Sequence, residues 1–319
     1  MIVGHDPALA AFRGAWDSRR LHHGWLLAGR RGVGKAKFAC DAARRLLADA
    51  AGPASDLPGL EVPPDHPISH LIAAGSHPDF RWLERLERPS GGLARNISVA
   101  QVRSLGEMLA MTPSLSGWRG IVIDAVDDLE TEAANALLKM LEEPPANTVF
   151  LLVSHVPGRL LPTIRSRCRR LDFKGLDDDV MMALLGQMRS DLSPDDRQGL
   201  VALADGSIGR ALDIAALDLA PLERMAIEMM RSGDPLNERR SALAKALAGK
   251  AAAERYAAFL AIVPSLIARE ARAADGRRRT RALDAYARAR DSAAIAPRLT
   301  LDPAATSFEL GSILASVAG

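Results

Sequence analysis

Trp25-Leu26-Leu27-Ala28-Gly29-Arg30-Arg31-Gly32-Val33-Gly34-Lys35-Ala36 is the stretch on which the fold turns. Four consecutive apolar residues predict a short strand buried on both faces. The helix that follows carries Ala39, Ala42, Ala43, Leu46 and Leu47 on one face. Between them, Gly29, Gly32 and Gly34 allow the backbone to wrap a phosphate, and Lys35 is placed to reach its outer oxygens. Strand, glycine-rich loop and helix together are the setting of a P-loop.

The last position of that loop is wrong for hydrolysis. A hydroxyl there normally holds magnesium, and Ala36 has none. A second apolar run, Gly120-Ile121-Val122-Ile123-Asp124, ends on Asp124, where the other magnesium-holding carboxylate belongs. The next residue, the place of a water-polarising Glu, is Ala125. Asp127 and Asp128 lie too far along to substitute, at about 3.3 Å per extended residue. Two readings of Gly29, Gly32, Gly34, Lys35 and Asp124 stay open: a degenerate site that holds ATP or ADP weakly, or only a tight strand-to-helix turn. Neither includes turnover, and no cofactor is required.

A third run, Val149-Phe150-Leu151-Leu152-Val153-Ser154, completes a set of continuous apolar strands interleaved with amphipathic helices, which predicts a parallel sheet covered on both faces. The segment 51–79, rich in Pro, Gly and Ala, reads as irregular, and Glu87 to Asn96 as an exposed loop or hairpin tip around Pro89-Ser90-Gly91-Gly92. Ser193-Pro194 starts a helix that should stop near Asp205-Gly206. The expected fold is α/β plus all-α: a parallel-sheet P-loop domain over 1–174, a small helical domain over 175–217 and a helical bundle over 218–319. At 319 residues, two or three domains are the expectation.

Composition excludes several classes. Only Cys40 and Cys168 occur, so no disulfide framework is expected and a reducing cytoplasm fits. No basic-then-apolar leader opens the chain. No apolar run approaches the roughly 18 residues of a membrane span. A net charge of +2 argues nothing about nucleic acid. The arginines of 272–290 (Arg272, Arg277, Arg278, Arg279, Arg281, Arg288 and Arg290, offset by Asp275 and Asp284) read as a solvated or salt-bridged face in preference to a DNA contact. His66, His70 and His77 lack ligand spacing and accompanying thiolates, so no metal site is expected.

Residues 131–145, Thr-Glu-Ala-Ala-Asn-Ala-Leu-Leu-Lys-Met-Leu-Glu-Glu-Pro-Pro, form a core-facing helix with Ala134, Leu137, Leu138 and Leu141 inward, stopped by Pro144-Pro145. After the third strand come Arg165-Ser166-Arg167-Cys168. With Val3-Gly4-His5, His77-Pro78-Asp79 and Ile97 to Arg103, these segments resemble the bacterial clamp-loader subunits of the AAA+ class, among them the delta-prime type of the DNA polymerase III holoenzyme. The resemblance runs over about residues 1–215. It implies a AAA+ domain, a helical lid and a helical collar, and a hetero-pentameric ring with gamma/tau motor and delta subunits. Such a ring loads a sliding clamp onto primed DNA, with no role for a membrane.

The resemblance also assigns residues. In the Ser166-Arg167-Cys168 motif, Arg167 is implied to be an arginine finger acting in trans on ATP held by a neighbour; residue type alone would make it a surface arginine. Cys168 is not read as a nucleophile. Ser154 occupies a phosphate-sensing position, with a plain strand-end hydroxyl as the equal alternative. Motor subunits carry a sensing arginine three residues after the glycine of Gly206-Ser207-Ile208-Gly209-Arg210; here that place is Gly209, and Arg210 points about 100° away. Many relatives bind zinc through four cysteines after the P-loop helix, a region without cysteine here.

Overall fold

A computed structural model describes residues 2–53, 55–89 and 91–318; Ser90, at the tip expected between Pro89 and Gly92, lies outside the described residues. The chain divides into two compact units, Met1–Ser190 with Asp205–Gly209, and Asp191–Ala204 with Arg210–Gly319. The division cuts through the 175–217 segment that the sequence sets apart, sending 175–190 and 205–209 to the first unit and the rest to the second.

The first unit contains helices α1 (Asp6–Asp17), α2 (Lys35–Ala51), α3 (Pro67–Ala73), α4 (Val99–Ala110), α5 (Thr131–Glu142), α6 (Pro162–Ser166) and α7 (Asp178–Met188). Its strands are β1 (Gly24–Gly29), β2 (Phe80–Glu84), β3 (Arg119–Asp124), β4 (Thr148–Ser154) and β5 (Arg169–Phe173). All pairings are parallel, in the order β2-β3-β4-β1-β5. This is the expected P-loop parallel sheet. The three central strands are buried almost throughout, whereas edge strands β2 and β5 alternate with exposed positions. Each face has its own core. Val149, Leu151 and Val153 of β4 pack towards α1, α2 and α3, while Phe150 and Leu152 pack towards α4, α5 and α6, as a two-residue period requires.

The predicted face of α2 is fully inward. On α5 the stripe is shifted: Ala133, Leu137 and Leu141 are buried, and Ala134 and Leu138 lie at its margin. The segment 51–79 is not wholly irregular. Pro67 opens α3, His66 caps it by accepting the Ile68 amide at Nδ1 (3.2 Å), and Ile68 and Ile72 are buried. The expected hairpin tip forms around an antiparallel Glu87–Leu93 bridge.

The His77-Pro78-Asp79 segment organises a loop more than thirty residues away. The buried Asp79 carboxylate accepts the amides of Ser114 (2.7 Å), Leu115 (2.8 Å) and Ser116 (3.2 Å), while His77 Nδ1 accepts the Asp79 amide. Burial pushes the Asp79 carboxyl up, but the three amides and His77 pull it further down, so it lies below its ordinary value. Its contribution is therefore present above the unfolded value of about 3.9 and is lost as pH falls through the lower folded value. Asp79→Ala should reduce unfolding free energy by about 1–3 kcal/mol at pH 7. The deficit should narrow below about pH 4, as urea midpoints at both pH values will read.

The second unit holds α8 (Pro194–Ala204), most of α9 (Ile208–Ala216), α10 (Ala220–Ser232), α11 (Glu238–Leu247), α12 (Ala253–Ala273), α13 (Gly276–Leu299) and α14 (Pro303–Ala315). No strand occurs there among the described residues. Ser193 Oγ accepts the Asp196 amide at the start of α8 (3.1 Å). One expectation is corrected: within Lys250–Ala273 an 18-residue window, of mean hydropathy 1.4, is long and apolar enough to cross a membrane by length and composition. Phe259, Val263 and Ile267 of that helix are wholly inaccessible and belong to the core, a distinction composition alone does not carry. In the arginine-rich segment, Arg278 pairs with Glu270 (2.7 Å), and Arg281 donates to the carbonyls of Val317 and Ala318.

Candidate functional site

The loop between β1 and α2 has the backbone its sequence requires. Gly32 (φ +78°) and Gly34 (φ +103°) lie in the left-handed region, which favours glycine. A Cβ on Gly29 would come within 2.2 Å of the Phe173 carbonyl oxygen. Lys35 is buried and folds back on the loop, its Nζ donating to the carbonyls of Gly29 (2.7 Å) and Arg30 (2.5 Å). Burial pulls its ammonium down to about 8, against the charges of Asp124 and Asp127. Asp124 at the end of β3 is pushed up, by burial first and then by Glu84, with Lys35 and Arg31 opposing. The expected phosphate-site residues are thus gathered at the carboxyl ends of β1 and β3.

Neighbouring segments tie the remaining loop carbonyls. His5, whose imidazole burial pulls below its ordinary value, donates from Nε2 to the Val33 carbonyl (2.6 Å). Ser207 Oγ donates to the Arg31 carbonyl (2.9 Å), the Gly209 amide donates to that of Gly32 (2.9 Å), and Arg30 pairs with Asp205. Every carbonyl from residue 29 to 33 therefore accepts a hydrogen bond. A Cβ on Gly209 would stand 2.8 Å from Gly32 Cα, so a sensing arginine has no room while the 205–209 turn holds this position. Arg210, within the second unit, directs its guanidinium to the fully buried Glu223 (3.3 Å).

The carboxylates after β3 are also committed. Asp127 accepts the Ser154 hydroxyl (3.0 Å) and the amides of His155 (2.5 Å) and Val156 (3.2 Å). It fastens the exit of β4, and Ser154 is its donor. Ala125 is buried and offers no polar group. The site comprises one lysine, one partly buried carboxylate and a glycine-rich turn, without a hydroxyl at 36 or a carboxylate at 125.

Arg167 lies elsewhere. Cα partners across the β1–β5 pair are Trp25 with Arg169 and Gly29 with Phe173. Arg167 therefore stands at the amino ends of the strands and the loop at their carboxyl ends, four strand steps or about 13 Å apart along the sheet before the offsets at each end are added. Its Nη1 donates to the Thr163 carbonyl (3.1 Å), and Nη2 pairs with Glu142 Oε1 (2.7 Å). The two side chains remain 34% and 47% exposed. Ser166 Oγ donates to the Thr163 carbonyl (3.1 Å), closing the short helix. Cys168 packs against the core under α5, and burial pushes its thiol up to about 12, far from a thiolate nucleophile.

Three arrangements have no signature in sequence spacing: the carbonyls of 31 and 32 taken by residues 207 and 209, the Asp127 fastening, and the Glu142 partner of Arg167. Glu142 does lie within the Leu-Glu-Glu-Pro-Pro segment that points to the family, but nothing in that segment names its partner.

Comparison with known proteins agrees with the family resemblance. The chain is 40% identical over 151 residues to the DNA polymerase III subunit delta′ of Pseudomonas aeruginosa, covering 46% of this chain and 41% of that one. It is 36% identical over 143 residues to the corresponding subunit of Haemophilus influenzae, covering 45% and 41%. With the DNA polymerase III subunit gamma/tau of Mycobacterium bovis it shares 32% identity over 187 residues, covering 59% and 30%. The matched stretches thus span between 30% and 41% of the length of these relatives. The family model described as DNA polymerase III, delta subunit, matches residues 4–177, more than half of the chain and the whole of both residue groups except the 205–209 turn. The chain belongs to that family of clamp-loader subunits.

Proposed function

We propose that this chain is the non-hydrolysing, delta-prime-type subunit of a DNA polymerase III clamp loader, supplying Arg167 in trans to ATP held by a neighbouring subunit. The observation that carries the proposal is the position of Arg167: partly exposed, at the end of the sheet opposite its own loop, it has no access to a phosphate bound there. A planar guanidinium presents several donors to charge developing on a transferred phosphoryl group. Delivered by another subunit, it makes hydrolysis depend on assembly.

Gly29, Gly32, Gly34, Lys35 and Asp124 then form a residual site that holds ATP or ADP weakly at most, with no zinc and no required cofactor. The partners are gamma/tau-type motors and a delta-type subunit in a hetero-pentameric cytoplasmic ring that places a sliding clamp on primed DNA. The 1–174, 175–217 and 218–319 segments serve as AAA+ domain, lid and collar. The competing reading, a motor subunit, is opposed by Ala36, Ala125 and Gly209. The purified full chain should show no ATP turnover above a heat-treated control, while its addition to the other subunits should raise theirs in the presence of primed DNA. Sustained turnover by the isolated chain, lost in Lys35→Ala, would overturn the proposal.

A further inference from the structure

Resting on the trans role of Arg167, we infer that Glu142 is a positioning residue that restrains this guanidinium and competes with the neighbour's phosphate for it. Glu142 ends α5 and Arg167 follows α6, so two separate helices bring the carboxylate and guanidinium to 2.7 Å. The Thr163 carbonyl holds the other terminal nitrogen. Each terminal nitrogen of the finger thus has a partner within this chain, although the side chain is open to solvent along one side.

Two consequences follow from charge and geometry. First, the pair is solvent-exposed, and such pairs are weak, so an arriving polyphosphate displaces Glu142 readily. Second, the displaced carboxylate stays near the same guanidinium and repels the incoming anion, since its helix is anchored by buried Leu137 and Leu141. Glu142 therefore acts as a brake: it lowers engagement of Arg167 until the neighbour's nucleotide is close and correctly oriented. The opposite role, a carboxylate that aims the finger and is needed for turnover, predicts the reverse sign.

Glu142→Gln keeps the shape of the side chain and removes its charge. In the isolated full chain, phenylglyoxal modification of Arg167, followed by mass spectrometry, should become about two- to fivefold faster, the range that weak surface pairs allow. An unchanged rate would sink the restraint itself, whatever the function of the protein. In the assembled complex, the same variant should raise ATP turnover at subsaturating ATP by a similar factor through KM. The gain should disappear in an Arg167→Ala background, and Glu142→Asp should restore part of the wild-type value. Reduced turnover in Glu142→Gln, with Arg167→Ala also defective, would overturn the brake and leave the finger standing. If neither substitution alters turnover, the trans role falls and the brake with it.

Discussion

Arg167→Ala should lower ATP turnover at the site it serves by about a thousandfold or more, the range attached to arginine fingers, while the subunit still folds and assembles. Total turnover by the complex should fall to what its other sites supply, and clamp loading should fall with it. Folding should be spared because the side chain is partly exposed and its pair with Glu142 is of a kind that contributes about 0–1 kcal/mol. Arg167→Lys should rescue little, since an ammonium lacks the planar fork. The measurements are single-turnover ATP hydrolysis in the reconstituted complex and size-exclusion chromatography of the same sample. Normal hydrolysis in a fully assembled variant would remove Arg167 from the mechanism.

The largest stability effect is expected at Arg45. Its side chain is 4% exposed, and Nε donates to both oxygens of Asp49 (2.8 and 3.0 Å). Its terminal nitrogens donate to the carbonyls of Ser55 (2.6 Å), Leu57 (2.8 Å), Gly59 (3.3 Å) and Glu61 (3.1 Å). One guanidinium thus fixes the stretch after α2. Arg45→Met takes from a buried carboxylate its bidentate partner and from several carbonyls their donor, and removing one member of a buried pair costs about 3–5 kcal/mol. That is a large part of a typical total of about 5–15 kcal/mol, so the urea midpoint should move strongly. Arg45→Met with Asp49→Leu should recover only part of the loss, because Asp49 also accepts Trp16 Nε1 (3.2 Å), Arg13 (3.3 Å) and the Ser55 amide (3.0 Å). A loss below about 1 kcal/mol would mean the pair behaves as if exposed.

The parallel sheet, the phosphate loop and the helix of 131–142 are legible in the sequence because their signals are local: continuous apolar runs, glycines at fixed offsets and a helical stripe. Errors arise where the signal is short or shared. Helix α3 has only seven residues, and its Pro67 start resembles loop composition. The choice of Ala133 over Ala134 is one helical step. The apolar run in α12 is the same whether helices or lipid surround it. What sequence alone does not carry is pairing at a distance, such as Asp79 with 114–116, Arg45 with 55–61, and Arg167 with Glu142. Each joins groups that follow no periodic rule.

The opposed positions of Arg167 and the phosphate loop give the sheet a polarity. In a head-to-tail assembly every junction joins one subunit's donor pole to the next one's acceptor pole. A subunit with a working donor pole and a disabled acceptor pole breaks the equivalence of those junctions. It can begin a series of hydrolysing interfaces but cannot extend one, so it gives the ring a first position and a direction. On the proposed function, Ala36, Ala125 and Gly209 are then address labels, marking where in the circle this chain belongs.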